Sequence, residues 1–339
     1  MELATEERVV KVLVTGGAGF IGSHIVHWLR RAGYEVVTAD NLQTGKRANL
    51  PADVPLYELD IRDQAGLADL FAAERPQAVV HQAALANVRE SMEDPITYAE
   101  VNIIGTLHLL ELVKDYNCTK FIFASTGGAV YGEGSFPNRK AVEGDEEGRP
   151  SPGSPSLPFT EDSRPQPKDN YGANKLSCEH YIELYNQNYD LPYVILRYAN
   201  VYGPRQDANG EAGVVAIFTG AMLSDLATHI TGDGGQQRDF VYVDDVARAN
   251  ILALNSELTG TYNVGTGLPT DINTLYRQLA DLTGYGRTPS RLPRPAGEVR
   301  ATWLDCSKAG LELGWEAEID LSEGLRRTVE WARTAAVTA

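Results

Sequence analysis

Cysteine, positive charge and long apolar runs are all scarce in this 339-residue chain. Its three cysteines, Cys118, Cys178 and Cys306, lie far apart without a CxxC pair, which predicts neither a disulfide framework nor a metal site and favours a reducing, cytoplasmic location. The 46 acidic residues against 30 Lys and Arg give a net charge of −16, which argues against a nucleic-acid-binding protein. No run approaches the roughly 18 apolar residues of a membrane span, and the polar N-terminus has no signal-peptide core. We therefore expect no membrane partner.

The first 200 residues alternate β-branched runs with helical patterns. The expected strands are Val9–Val14, Tyr34–Ala39, Val54–Leu59, Ala78–His81, Phe121–Ala124 and Tyr193–Leu196. The expected helices are Phe20–Arg31, Gln64–Ala73, Ile96–Tyr116 and Tyr171–Asn188. This alternation predicts an α/β fold with a doubly wound parallel sheet. In such a sheet the carboxyl ends of the strands meet at one edge, where ligands bind.

Regularity weakens beyond about Val201, where we expect a smaller, mostly helical C-terminal lobe. Helical patterns recur at Ile272–Leu282 and Leu321–Ala336. The segment Gly134–Pro158 holds five prolines and an acidic run, and it predicts a surface loop, with a lid or a partner-binding element as the alternative.

The turn Gly17-x-Gly19-x-x-Gly22 follows a strand and opens a helix, which is the context of a dinucleotide-binding site. Glycine allows the backbone to approach a pyrophosphate, and the helix N-terminus attracts its charge. Asp40 follows about 20 residues later, at the end of the second strand, where a carboxylate accepts hydrogen bonds from ribose hydroxyls. It would repel a 2′-phosphate, so the sequence favours NAD over NADP.

Other residues at the ends of the expected strands extend this cofactor site. Asp60 either meets the adenine edge or is merely solvated, and Asn102 is as consistent with a structural role as with a cofactor contact. The candidate cofactor-binding residues are Gly16, Gly19, Phe20, Ile21, Gly22, Asp40, Asn41, Asp60, Ile61, Ala83, Ala84, Asn102 and Lys175.

Tyr171 and Lys175 are four residues apart and share one helical face. The reference pKa of tyrosine is near 10, and a nearby ammonium favours the phenolate, which can remove a proton from a substrate hydroxyl. Thr126, or else Ser125, stands at the end of the fifth strand and is the candidate hydroxyl partner of the reacting oxygen. These four residues are the candidate catalytic group.

Together these motifs resemble the extended short-chain dehydrogenase/reductases, and among them the NAD-dependent epimerase/dehydratase family, with the UDP-glucose 4-epimerases as the most similar branch. The stretches that carry the resemblance are TGGAGFIG (15–22), Asp40-Asn41, Asp60-Ile61, HQAA (81–84), STGGAVYG (125–132), YGANK (171–175), LRYANVYGPRQ (196–206), GDGGQQRDFVYVDDVA (232–247) and YNVGTG (262–267).

The resemblance implies 4-epimerisation of a UDP-hexose through a transient 4-keto sugar, with tightly held NAD regenerated in each turnover. It makes Tyr171 the base, with Thr126 also contacting the sugar. Asn200, Arg238 and Arg294 are the further substrate-binding candidates. It implies a homodimer formed through the helices at about 96–116 and 171–189. It assigns 9–200 plus about 239–268 to a NAD-binding Rossmann domain, and about 201–238 plus 269–336 to a nucleotide-sugar-binding lobe.

The sequence departs from the family pattern in ways that bear on substrate and reaction. Gly127-Gly128 stand where the dehydratases of the family carry an Asp-Glu pair, so 4,6-dehydration is not expected. Thr302 lies near a position where many strict glucose/galactose epimerases carry tyrosine, which suggests that N-acetylated sugars could enter. UDP-glucuronate 4-epimerase, or another NAD-dependent nucleotide-sugar enzyme, is the main alternative, and a basic residue facing the sugar C6 would favour it. A non-catalytic NAD-binding protein is the remaining alternative.

Overall fold

The computed structural model describes residues 10–135, 156–208, 213–294 and 298–338. Its strands are β1 (Lys11–Thr15), β2 (Glu35–Asp40), β3 (Leu56–Glu58), β4 (Ala78–His81), β5 (Lys120–Thr126), β6 (Tyr193–Tyr198), β7 (Asn200–Tyr202), β8 (His229–Thr231), β9 (Gln237–Tyr242), β10 (Gly260–Val264), β11 (Pro269–Asp271), β12 (Ser290–Leu292) and β13 (Ala301–Thr302). Its α-helices are α1 (Phe20–Arg31), α2 (Gln64–Glu74), α3 (Val88–Glu93), α4 (Pro95–Ala99), α5 (Gly105–Asp115), α6 (Gly127–Val130), α7 (Asn170–Tyr189), α8 (Val214–Leu223), α9 (Val243–Asn255), α10 (Ile272–Thr283) and α11 (Leu321–Thr338).

Seven of these strands form one sheet in the order β10-β6-β5-β4-β1-β2-β3, and every neighbouring pair is parallel. This confirms the predicted doubly wound sheet. The predicted strand Val54–Leu59 begins only at Leu56, directly after Pro55, which has no amide hydrogen to give to a sheet.

The sheet is buried on both faces because alternate residues of its strands pack against different helical layers. In β1, Val12 and Val14 pack with residues of α1 and α9 in one hydrophobic cluster. Leu13 belongs to a second cluster, with residues of α2, α5 and α7. This two-residue alternation places helices on both sides of the sheet.

The helix predicted over Ile96–Tyr116 is divided into α4, a π-helical turn at Glu100–Ile104 and α5. The stretch Pro95–Asp115 is long enough to span a membrane and contains an 18-residue window with a mean hydropathy of 1.2, of which 39% is buried inside the protein. Core helices of soluble proteins meet the same two criteria, so this is weak evidence for a membrane segment.

The C-terminal region contains more strands than expected. A smaller sheet places β9 between β11 and β13, with β7 also paired to β9, and β8 pairs with β12. Helices α8, α10 and α11 pack against it around Phe218, Leu275 and Leu325. The expectation of a mostly helical lobe was incomplete because every strand there except β9 has only two or three residues, too few to leave a periodic pattern. Most of the loop predicted at Gly134–Pro158, residues 136–155, lies outside the described residues.

Candidate active site

The glycine-rich turn between β1 and α1 borders a cavity at the carboxyl edge of the sheet. Gly16 has a φ of +66°, a left-handed conformation that favours glycine. A Cβ on Gly22 would lie 2.1 Å from the Gly16 carbonyl oxygen, and one on Gly17 would lie 2.6 Å from Cγ2 of Thr38. Helix α1 begins at Phe20 with neither a side-chain cap nor an acidic residue in its first turn. This is a helix start suited to a phosphate.

Asp40 closes β2 beside this turn. Its carboxylate accepts hydrogen bonds from the backbone N–H groups of Ala18 at 2.9 Å and Leu42 at 2.8 Å. Burial raises the pKa of Asp40, and these backbone donors act in the opposite direction. The carboxylate is thereby held in the wall of the cavity, where the sequence places the ribose hydroxyls.

Almost all candidate cofactor residues meet in this first cavity. Those that line it are Gly16, Gly19, Phe20, Ile21, Gly22, Asp40, Asn41, Asp60, Ile61, Ala83, Ala84 and Lys175. Asp60 accepts a hydrogen bond from Asn41 at 3.2 Å and pairs with Arg62 at 2.9 Å. The hydrogen bonds from Arg62 lower the pKa of Asp60 to about 2, so its carboxylate faces the cavity ionised.

Asn102 acts on the cavity through the loop that follows β4. Its side chain is buried, accepts a hydrogen bond from the N–H of Leu85 at 2.9 Å and donates one to the Leu85 carbonyl oxygen at 2.9 Å. Leu85 lines the first cavity, whereas Asn102 is absent from its lining. Of the two roles left open by the sequence, this geometry supports the structural one.

Tyr171 and Lys175 project from the first turns of α7, which Asp169 caps. The Lys175 ammonium is buried and donates to the carbonyl oxygen of Ala124 in β5 at 2.8 Å. Tyr171 lines the first cavity and also a second one next to it. The predicted acid/base pair therefore lies where the two cavities meet.

The two candidate hydroxyls have different surroundings. Ser125 lines both cavities, but its hydroxyl donates to the buried carboxylate of Glu179. Thr126 lines the second cavity together with Asn200, and its Oγ1 accepts a hydrogen bond from the backbone N–H of Ala129 at 3.2 Å, which leaves its own hydrogen to donate. A Cβ on Gly128 would lie 3.8 Å from Oγ1 of Thr126 and 3.9 Å from Oδ1 of Asn200, so these two polar atoms face a common space. The geometry supports Thr126 as the hydroxyl partner.

The other two substrate candidates, Arg238 and Arg294, bond to backbone carbonyl groups of their own lobe. Arg238 donates to the carbonyl oxygens of Gln237 at 2.8 Å and Val299 at 2.7 Å, and burial lowers its pKa. Arg294 donates to the carbonyl oxygen of Glu298 at 2.5 Å. Neither arginine belongs to the described lining of either cavity.

A buried polar network behind the site was not foreseen from the sequence. Arg197 in β6 makes a bidentate pair with Glu179 of α7, with N···O distances of 3.0 and 2.6 Å. Arg197 also donates to the Tyr131 hydroxyl at 2.8 Å, which in turn donates to Asn263 of β10 at 2.9 Å. One signal was available in the sequence: a charged residue inside the otherwise uncharged run YVILRY requires a buried partner.

Known proteins resemble this chain over almost its whole length. The family model described as the NAD dependent epimerase/dehydratase family matches residues 12–265. A putative UDP-glucose 4-epimerase of Methanocaldococcus jannaschii is 43% identical over 95% of this chain and 98% of its own.

Two solved structures share the fold. The UDP-glucose 4-epimerase of Thermotoga maritima, in complex with UDP-glucose, superposes with a TM-score of 0.87 at 46% identity, covering 96% of this chain and 100% of that one. The UDP-glucose 4-epimerase of Thermus thermophilus, in complex with NAD, gives a TM-score of 0.85 at 44% identity, with the same coverages. Together with the glycine-rich turn, Asp40 and the Tyr171–Lys175 pair, these similarities show that the chain belongs to the NAD-dependent epimerase/dehydratase family.

Proposed function

We propose that this protein is an NAD-dependent UDP-hexose 4-epimerase that interconverts UDP-glucose and UDP-galactose through a transient 4-keto sugar. The observation that carries the proposal is the position of Tyr171 at the junction of the two cavities. A group held in the first cavity and a sugar held in the second would both reach this side chain. The relatives named as UDP-glucose 4-epimerases support the same activity.

The first cavity fits NAD. A Cβ at Gly17 would clash with Thr38 and one at Gly22 with the Gly16 carbonyl, so the tight turn that borders the cavity requires glycine at both positions. The uncapped start of α1 suits a pyrophosphate. Asp40 would hold the adenosine ribose and disfavour a 2′-phosphate. When bound, NAD supplies a reversible hydride acceptor for the sugar carbon.

The residues around the sugar would bind it and transfer the proton of its C4 hydroxyl. Tyr171 would take the proton of the C4 hydroxyl and return it to the same oxygen once the 4-keto sugar has turned its other face to the cofactor site. The Lys175 ammonium, held by Ala124, provides the positive charge that favours the phenolate. Thr126 would hydrogen-bond the reacting oxygen, and Asn200 would hold the sugar or a phosphate. We also propose Arg238 and Arg294 for the diphosphate.

Dehydration is disfavoured at this site. The elimination of water from C5 and C6 needs an acid and a base beside the sugar, yet Gly127 and Gly128 carry no side chain. A Cβ on Gly127 would lie 2.7 Å from two side-chain carbons of Leu304, so a carboxylate there would displace the packing. This favours epimerisation over the dehydratase activity of the wider family.

We further propose that the protein acts as a cytoplasmic homodimer, with the domain division given by the sequence. Exposed apolar side chains on the two candidate interface helices support the dimer: Ile96 and Ile104 on one, Tyr181 and Leu184 on the other. Leu110, on the first of these helices, is fully buried in the core of the subunit and cannot contribute.

The proposal is tested by incubating purified protein with UDP-galactose, or with UDP-glucose, without added NAD. We expect interconversion, because the family pattern implies that NAD is retained through turnover. Protein stripped of nucleotide and then given NAD back serves as the control for retention. Absence of interconversion in both preparations would contradict the proposed function.

The same assay tests the sugar range. Thr302 is buried in β13, in register with Arg238 of β9. Because threonine rather than a bulky tyrosine stands at this position, we expect turnover of UDP-N-acetylglucosamine. Failure with both UDP-N-acetylglucosamine and UDP-N-acetylgalactosamine would reject this expectation.

Substituting Thr126 and Ser125 one at a time separates the roles of their hydroxyl groups. Thr126→Ala is expected to lower kcat about tenfold to a hundredfold, the effect of losing one hydrogen bond to a charged oxygen, and Thr126→Ser to restore most of it. Ser125→Ala is expected to cost about 1 kcal/mol of unfolding free energy, because Glu179 loses a donor. Steady-state kinetics and urea unfolding of both variants decide the assignment. A larger loss of kcat in Ser125→Ala than in Thr126→Ala would reverse it.

A further inference from the structure

Arg89 occupies an unassigned position in the wall of the second cavity. It lies in α3, and the loop that leads into this helix contributes Ala86 and Asn87 to the same wall. Within the described lining of this cavity, Arg89 is the only residue that carries a formal charge.

Helix α3 is fixed to the catalytic helix at the end that carries Tyr171. The side-chain amide of Asn170 donates to the carbonyl oxygen of Ser91 at 2.8 Å, and the backbone N–H of Tyr171 donates to the Ser91 hydroxyl at 3.3 Å. Arg89 is two residues from Ser91, so its side chain starts near the reactive tyrosine. The opposite part of the lining, around Gln206, Val215 and Phe240, is contributed by later segments of the chain.

The Arg89 guanidinium is exposed and makes no hydrogen bond or ion pair with another described residue. The carboxylate of the neighbouring Glu90 accepts a hydrogen bond from the Tyr98 hydroxyl at 3.0 Å and forms no ion pair with Arg89. A guanidinium presents a planar set of donors that matches a carboxylate in bidentate geometry. Arg89 is therefore a cation without an ion-pair partner among the described residues, in the wall of the cavity that Tyr171 also lines and in a chain whose net charge is −16.

We propose that Arg89 is a specificity-determining residue that admits nucleotide sugars with a carboxylate at C6, the nucleotide hexuronates. This inference rests on the proposed function, because it places the sugar beside Tyr171. A C6 carboxylate would pair with the Arg89 guanidinium, whereas the uncharged hydroxymethyl group of a hexose would make a weaker contact. Arg89 thus widens the substrate range towards uronates without taking part in the chemistry.

The test is calorimetric titration of the full-length, NAD-loaded protein with UDP-glucuronate, UDP-glucose and UDP. In Arg89→Gln the Kd for UDP-glucuronate is expected to rise roughly tenfold, with changes below about twofold for UDP-glucose and UDP. Arg89→Lys should recover part of the difference, because the charge is kept and the bidentate geometry is lost. Arg31→Gln is the matched control, since it removes one positive charge from the exposed last turn of α1.

Each other outcome overturns the inference. Equal weakening for all three ligands would place Arg89 at the diphosphate, and no change for any would leave it without a role in binding. Failure of the wild-type protein to bind UDP-glucuronate would also reject it. Because the readout is binding, it decides the role of Arg89 even if the protein fails to interconvert UDP-glucose and UDP-galactose, which is the separate failure of the proposed function.

Discussion

Tyr171→Phe is expected to lower kcat for UDP-galactose by a factor of about 10² to 10⁴, with little change in the affinity for NAD or for the nucleotide sugar. The substitution removes one oxygen and keeps the ring that forms part of both cavity walls. The backbone N–H of Tyr171 still donates to Ser91, and Asp169 still caps the helix. The loss should therefore appear in turnover rather than in binding or folding.

A matched control for this variant lies on the same helix. Tyr181 is 39% exposed, and its hydroxyl has no hydrogen bond within the described part of the chain. Tyr181→Phe makes the same chemical change away from the cavities, and kcat should stay within about twofold of the wild-type value. Steady-state kinetics of both variants, together with titration of UDP-glucose, measure the contrast. A Tyr171→Phe enzyme that retains more than about a tenth of wild-type kcat would contradict the role of Tyr171 as the base.

The parts of the site that could be predicted from the sequence are those encoded locally. The glycine turn is a matter of spacing within a few residues, and Tyr171 and Lys175 share one helical turn. Asp40 could be identified because, in a dinucleotide-binding fold, the acidic residue that contacts the ribose follows the glycine turn by about 20 residues, at the end of the second strand. All of these line one cavity in the structure.

The parts that could not be predicted depend on contacts between distant segments. The pairing of Asn102 with Leu85 requires the position of one helix against one loop. The second sheet contains β13, of only two residues, which has no sequence periodicity. Arg89 is one exposed arginine among many in the sequence, and only the fold shows that it borders the cavity of Tyr171.

The ion pair between Glu179 and Arg197 is another feature that could not be predicted from the sequence. Removing one of its partners should destabilise the fold more than any of the other proposed substitutions. Their side chains are 1% and 7% exposed. Glu179→Leu would leave the Arg197 guanidinium buried without its carboxylate, and the Ser125 hydroxyl without its acceptor. Breaking a buried ion pair in this way is expected to cost about 3–5 kcal/mol of unfolding free energy.

Removing both charges of the pair should lower the free energy of unfolding less than removing one of them. In the double variant Glu179→Leu/Arg197→Met neither member of the pair is left buried without the other, and Tyr131 keeps its hydrogen bond to Asn263. We therefore expect the double variant to be more stable than Glu179→Leu alone, although it contains one more substitution.

Urea unfolding of the single and double variants measures this coupling, and an exposed ion pair supplies the comparison. Glu323 on α11, with a side chain 33% exposed, pairs with Arg326 and also with Arg327, which are 46% and 40% exposed. Because these pairs are solvated, Glu323→Gln should cost less than about 1 kcal/mol. If Glu179→Leu were as mild as Glu323→Gln, the buried network would not be what holds α7 against β5 and β6. The positions of Tyr171 and Lys175 would then have to depend on the apolar packing of α7 alone. If the expected order is found, the same ion pair that stabilises the fold also fixes the strand end that presents Thr126 to the substrate.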